Sequence, residues 1–169
     1  MSSPTIQSAY DADASGRFVE AGRLYWAAFE AKQPFDLKTT LRALFIFFDS
    51  NDPGVGAGHG LSVEEVKVAN ERFHALLDHL RSLNHADDAE VWRNWAGQLG
   101  MDCEYPLPAG ALAEFVKRGS REAAWRLAAG SDRSPEVLLL VSQLRTELAD
   151  ETTFRSAYIQ HMLRDLQVH

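Results

Sequence analysis

Oxygen-bearing side chains are concentrated between Leu41 and Val66, where an apolar run leads into a Gly-rich stretch and a helix start. A calcium loop of about 12 residues needs oxygen ligands at alternate positions and a closing Glu. Asp49 and Asn51 match the first two of these positions, but Pro53 stands at the fifth and the closing Glu comes late. A cation held by an expanded loop would have four ligands, Asp49, Asn51, Asp52 and Glu65.

Four glycines at alternate positions of the same stretch invite a second interpretation, as a phosphate-binding loop. They are Gly54, Gly56, Gly58 and Gly60. Neither a P-loop nor a dinucleotide-binding pattern is present, and no Lys or Arg occurs between Arg42 and Lys67. The alternative is a flexible loop that connects two helices.

A second group of metal-ligating residue types lies within twelve positions: His74, Asp78, His79 and His85. Glu71 and His74 also form a Glu-x-x-His pair, which a di-iron bundle needs twice, and here the pair occurs once. This cluster, or the segment from 49 to 65, supports an alternative function. In that alternative the protein is a metal- or small-ligand-binding helical bundle, with an enzyme as one form of it.

Nucleophilic catalysis has little support in the sequence. The single cysteine, Cys103, stands between Asp102 and Glu104, whose charges would raise its thiol pKa. No G-x-S-x-G pattern occurs. The sequence favours a non-catalytic protein without deciding the question, and it predicts no cofactor.

Hydrophobic periodicity predicts helices along almost the whole chain. We expect an all-α fold of about eight helices, arranged as a single-domain bundle or an irregular array of helical hairpins. Residues 1–14 are expected to be loosely ordered, and residues 15–169 to form one all-helical domain.

The helix that begins after Asp36 is apolar nearly all round, so it is predicted to lie at the centre of the fold. Ser62 and Glu65 predict a capping box at the start of the next long helix. Further towards the N-terminus, small and aromatic residues resemble the second helix of a tetratricopeptide repeat. The resemblance covers fewer than 20 residues, does not recur, and implies only hairpin-like helix packing: Gly16, Phe18, Ala21, Tyr25 and Ala28.

Composition limits the classes of partner. The formal net charge of −7 and the scattered basic residues argue against nucleic acid and anionic membranes as partners. The N-terminal segment has no apolar core typical of a signal peptide, and one cysteine is typical of a reducing compartment, so we expect a cytoplasmic protein. The excess of Arg over Lys suggests a bacterial genome rich in G and C.

An acidic surface is the natural complement of a basic protein surface. The function predicted first is therefore non-catalytic binding of another protein, and an immunity or antitoxin role suits a small acidic chain of this kind. A regulatory or scaffold module is a third alternative. The oligomeric state is left open. The predicted partner-binding residues are four carboxylates and one tryptophan: Asp87, Asp88, Trp92, Asp102 and Glu104.

Overall fold

The computed structural model describes residues 5–101 and 106–164, and within these ranges the chain forms helices and connections with no strand. The prediction of an all-α fold is confirmed. None of the helices in this part of the chain is long and apolar enough to cross a membrane. The described ranges contain ten helices: α1 (Ile6–Ala14), α2 (Phe18–Glu30), α3 (Leu37–Ser50), α4 (Pro53–Gly58), α5 (Val63–Ser82), α6 (Ala86–Gln98), α7 (Ala111–Lys117), α8 (Arg121–Ala129), α9 (Pro135–Leu148) and α10 (Phe154–Met162).

Backbone contacts divide the chain into two compact units. Unit 1 comprises residues 5–84 and 152–155 of the described chain, and unit 2 comprises the remainder, from residue 85 onwards. The prediction of a single domain stays a prediction, because contacts within each unit do not show whether the units fold independently.

Helix α3 is the central helix of unit 1, as its sequence predicts. The Asp36 side chain begins it by accepting a hydrogen bond from the Thr39 amide at 2.7 Å. Six consecutive residues, 43–48, are buried. Since consecutive residues of a helix point in different directions, this burial requires neighbours on several sides, and α2, α4 and α5 supply them.

The Gly-rich stretch corrects the expectation of a flexible loop, because most of it folds as helix α4. Asp52 caps this helix by accepting hydrogen bonds from the amides of Gly54 and Val55 at 2.8 and 3.2 Å. Pro53 follows at the first helical position, where its missing N–H is not needed. Of the four glycines, only Gly60 has a positive φ, at 79°.

The predicted capping box of α5 is present. The Glu65 carboxylate accepts a hydrogen bond from the Ser62 amide at 2.9 Å, and the Ser62 hydroxyl accepts one from the Glu65 amide at 3.2 Å. Two amides at the helix N-terminus are therefore satisfied by side chains from the same turn.

Residues 6–14, part of the segment expected to be loosely ordered, form helix α1. Ala9 and Ala12 are fully buried against α2, and small side chains of this kind give a weak apolar pattern in sequence. The Asp13 carboxylate is 1% exposed and accepts hydrogen bonds from the Tyr25 hydroxyl at 3.1 Å and the Phe154 amide at 2.9 Å. These contacts join residues far apart in sequence, so the local pattern does not reveal them.

Unit 2 is built around α8, which packs against α6, α7 and α9. Trp92 of α6 and Trp125 of α8 are both fully buried, and their ring centroids lie 6.0 Å apart. Wide aromatic rings and small alanines together fill this core, with Ala123, Ala124 and Ala128 supplying close helix packing.

The glycines of α4 differ in how closely they are packed, and this gives a test of the fold. A Cβ at Gly56 would lie 2.9 Å from Val66 Cγ2 and 3.1 Å from the Ser50 carbonyl oxygen, whereas a Cβ at Gly58 meets nothing within 4 Å. We expect Gly56→Ala to lower the free energy of unfolding by about 1–3 kcal/mol through overpacking. Gly58→Ala should leave it unchanged or raise it by up to about 1 kcal/mol. Urea unfolding of both variants checks this; equal stabilities would contradict the tight packing of α4.

Candidate functional site

A pocket of about 270 Å³ lies within unit 1, between α2, α3 and α5. Its inner wall is apolar and includes buried residues of all three helices. Four charged side chains and the buried Ser50 complete the lining. The apolar lining residues are Phe18, Val19, Gly22, Ile46, Phe47, Leu61, Val68 and Ala69.

Gly22 determines how closely α2 approaches α3 beside the pocket. A Cβ added at Gly22 would lie 3.2 Å from Ile46 Cγ2 and 3.7 Å from Phe47 Cε1. Because Gly22 has no Cβ, α2 approaches α3 closely without displacing the Ile46 and Phe47 side chains from the pocket wall.

Four charged residues line the pocket: Arg23, Glu64, Glu65 and Arg72. Three of them have partners of opposite charge. Arg23 contacts Glu65 at 3.2 Å, and the Nζ of Lys67 lies 3.6 Å from the Glu64 carboxylate. The fourth, Arg72, differs from these three.

Arg72 packs against aromatic rings instead of a carboxylate. Its guanidinium carbon lies 5.1 Å from the centroid of the Trp26 ring and 5.7 Å from that of Phe47. Among the residues that the structure describes, none forms an ion pair or hydrogen bond with the Arg72 side chain. Burial lowers the pKa of Arg72 below its ordinary value, and the charges of Glu30 and Glu71 oppose this only in part.

The four metal ligands predicted in the 49–65 segment do not come together as a site. The Asp52 carboxylate caps α4, and the Glu65 carboxylate is occupied by Ser62 and Arg23. Burial raises the pKa of the partly buried Asp49, and the buried Nδ2 of Asn51 has no hydrogen-bond partner within the described chain.

The histidine cluster is also dispersed among separate contacts. His79 Nε2 lies 3.0 Å from the Phe35 carbonyl oxygen, and Asp78 accepts a hydrogen bond from Arg81 at 2.6 Å. The ring of His74 packs edge-on against Phe73. Across residues 5–101 and 106–164, no group of three or more His, Cys, Asp or Glu side chains is placed to hold a metal ion.

The predicted partner-binding residues need correction in two cases. Asp88 is 6% exposed and Trp92 is fully buried, so neither side chain can reach a protein partner. Asp87 is half-buried and forms a bidentate pair with Arg118, at 2.7 and 2.9 Å. The sequence places Trp92 near acidic residues, but its helical position turns the indole into the core of unit 2.

The other predicted positions of this kind, Asp102 and Glu104, lie outside the described residues, and so does Cys103. The predictions for these three residues therefore stay predictions.

Unit 2 brings together a serine, a histidine and an aspartate, the residue types of a catalytic triad. The order of contacts is different, however, because Asp88 lies in the middle: His85 Nδ1 is 2.9 Å from one carboxylate oxygen and the Ser120 hydroxyl donates to the other at 2.6 Å. In a triad the histidine contacts the serine and acts as its base. Ser120 is buried and caps α8 by accepting from the Ala123 amide, so this network is structural.

A second buried carboxylate, Glu122, lies in the same core. It is 2% exposed, and its Oε2 accepts hydrogen bonds from the indoles of Trp92 at 2.8 Å and Trp125 at 3.1 Å. Burial raises the pKa of Asp88 above its ordinary value, and the neighbouring charge of Glu122 adds to the effect. Hydrogen bonds from Ser120 and His85 oppose the shift.

Gly22 and Arg72, the residues that most distinguish the pocket, are not among those selected from the sequence, whereas Glu65, predicted as a metal ligand, lines the pocket. Gly22 gives a weak signal, because a single glycine inside a helical pattern often marks a close contact. Arg72 gives none, since a charged residue on one face of an amphipathic helix is ordinary. Only its position beside Trp26 and Phe47, without a carboxylate, distinguishes it.

The raised pKa of Asp88 predicts a pH-dependent contribution to stability. Between the unfolded pKa, near 3.9, and the higher folded value, the native state binds more protons than the unfolded state. The stability contributed by Asp88 is therefore present at low pH and is lost as pH rises through this window. We expect Asp88→Asn to remove this loss, so that the variant gains stability relative to the parent as pH increases from 4 to 8. Urea unfolding across this range measures the difference.

Two variants serve as controls. Asp87→Asn changes a carboxylate that is paired with Arg118 at the surface, and it should alter stability by at most about 1 kcal/mol. Asp88→Ala removes the acceptor of the Ser120 and His85 hydrogen bonds and should lower stability by about 1–3 kcal/mol at pH 4. Because it also removes the titrating carboxyl, its deficit relative to the parent should shrink as pH rises. If the free energy of unfolding of Asp88→Asn changed with pH in parallel with that of the parent, the raised pKa of Asp88 would be contradicted.

Comparison with known proteins does not extend this description. No protein-family model, no curated protein and no solved structure matches the chain.

Proposed function

We propose that this protein binds a small organic molecule, without catalysis, in the pocket between α2, α3 and α5. The observation that carries the proposal is the combination of an apolar inner wall with an arginine that has no partner of opposite charge within the described chain. Ligand sites are typically concave and mostly apolar, with a few polar groups that orient the ligand.

The size of the pocket limits the ligand. Its volume of about 270 Å³ is slightly below the roughly 300–1,000 Å³ of drug-sized ligand sites. It is larger than the roughly 150 Å³ apolar cavities that accept benzene. A bicyclic ring or a chain of about eight carbons is the appropriate scale, which excludes a large cofactor.

The lining does not favour chemistry on the ligand. The described residues of the pocket include no histidine and no cysteine. The one hydroxyl among them, that of Ser50, donates to the Ile46 carbonyl oxygen at 2.7 Å within its own helix. A nucleophile needs an adjacent base, and these lining residues do not provide such a pair.

Protein binding through an acidic surface, with its immunity or antitoxin variant, stays a prediction. The net charge of −7 is compatible with it. Burial of Asp88 and Trp92 removes two of the residues on which it depended. Ligand binding is preferred because a formed pocket supports it.

The proposal is tested by titrating the protein with 1-aminonaphthalene, a neutral fluorescent probe, and following its emission. We expect saturable binding to the parent protein. In Val68→Phe, a larger ring occupies the pocket from a half-buried lining position, and affinity should fall by at least about tenfold. Val19→Phe, from the opposite helix, should have a similar effect.

The matched control is Val63→Phe. Val63 belongs to the same helix as Val68, is 76% exposed and does not line the pocket, so this variant should bind the probe like the parent. Thermal unfolding of each variant verifies that it is folded. If the parent does not bind the probe, or if both pocket variants bind it with unchanged affinity, the proposal is wrong.

A further inference from the structure

We propose that the ligand is an amphipathic monocarboxylate, whose acid group binds Arg72 and whose apolar body lies against the wall formed by Gly22 and Ile46. This inference rests on the proposed function and specifies the chemistry of the same pocket. It follows from the charges, the geometry and the surroundings of Arg72.

Among the described residues, charge pairing accounts for every charged side chain of the pocket except Arg72. Arg23 is neutralised by Glu65, and Glu64 is neutralised by Lys67. Arg72 has no comparable carboxylate among the residues described. A half-buried guanidinium is partly removed from water, and its lowered pKa reflects that loss. An anion that entered the pocket would restore the missing interaction.

The aromatic neighbours of Arg72 leave its hydrogen-bond donors available. A guanidinium is planar, and its N–H groups point outwards in that plane. Trp26 and Phe47 contact the charged group through their rings, which accept no conventional hydrogen bond. They also restrict the side chain, so less conformational entropy is lost when a carboxylate binds in bidentate fashion.

The acidic residues around Arg72 favour a single negative charge. The charges of Glu30 and Glu71 raise the pKa of Arg72, although neither carboxylate lies within ion-pair distance of it in the described chain. A dianion such as a phosphate monoester would be repelled more strongly by these carboxylates than a monoanion. The apolar wall then favours a hydrocarbon or ring on the same molecule as the acid.

The inference is tested with two probes of equal chain length, octanoate and 1-octanol, by isothermal titration calorimetry of the full chain. We expect octanoate to bind at least about tenfold more tightly, because only its carboxylate forms charge-assisted hydrogen bonds with Arg72. Arg72→Met keeps a long apolar stem but has no charge, so the two probes should bind it equally. Arg72→Lys keeps the charge without the planar fork and should retain part of the preference.

Arg42→Met is the matched control. Arg42 is also stacked on an aromatic ring, 4.3 Å from the centroid of Tyr10, but it does not line the pocket. This variant should preserve the full preference for octanoate. Because the comparison of the two probes is made first on the parent protein, the test does not depend on the folding of any variant.

The possible failures are distinguishable. Equal binding of octanoate and octanol to the parent would overturn the carboxylate inference while leaving the pocket as a ligand site. A preference for octanoate over octanol that persists unchanged in Arg72→Met would also overturn the carboxylate inference. If the parent binds 1-aminonaphthalene but neither octanoate nor octanol, the carboxylate inference is overturned while the pocket stays a ligand site. If the parent does not bind 1-aminonaphthalene, the proposed function itself fails.

Discussion

Helix α3 has apolar side chains on more of its surface than one neighbouring helix can cover, and unit 1 is organised by that constraint. Residues such as Leu44, Ile46 and Phe48 are at most 2% exposed, and each fully buried side chain of this type contributes roughly 1.5–3 kcal/mol. Packing of α2, α4 and α5 around α3 achieves the burial. The glycines at 22 and 56 permit two of these contacts, since a Cβ at either position would press on a neighbouring residue. The pocket is the part of this packing that the neighbouring helices do not fill.

The two units differ in the interactions that compensate their buried charges. In unit 2, the Asp88 and Glu122 carboxylates are almost completely removed from water, and hydrogen bonds from serine, histidine and indole groups compensate. In unit 1, Arg72 is partly buried beside aromatic rings and has no compensating anion within the described chain. Because a buried charge is expensive unless it is paired, the first arrangement is typical of a structural network. In the second, aromatic contacts are the interactions that the guanidinium makes within the described chain.

Helix capping explains why several residues with suggestive chemistry in sequence do not form a ligand set. Asp52 and Glu65 occur in a segment that resembles a metal-binding loop, yet each carboxylate is occupied at a helix N-terminus. Helix N-termini need oxygen acceptors for their free amides. A chain with many short helices therefore places carboxylates and hydroxyls close together in sequence for a purely structural reason.

Sequence by itself determined the helical class, the central place of α3, and the caps formed by Asp36 and Ser62, because periodicity and capping depend on residues within a few positions of each other. Tertiary structure alone decided that α1 is joined to the rest of unit 1 through Asp13, which accepts hydrogen bonds from Tyr25 and Phe154. It alone decided that Trp92 points into the core and that Arg72 meets Trp26 and Phe47 beside an open pocket. These outcomes depend on which helices become neighbours, and a local pattern contains no information about the groups that a side chain meets across the fold.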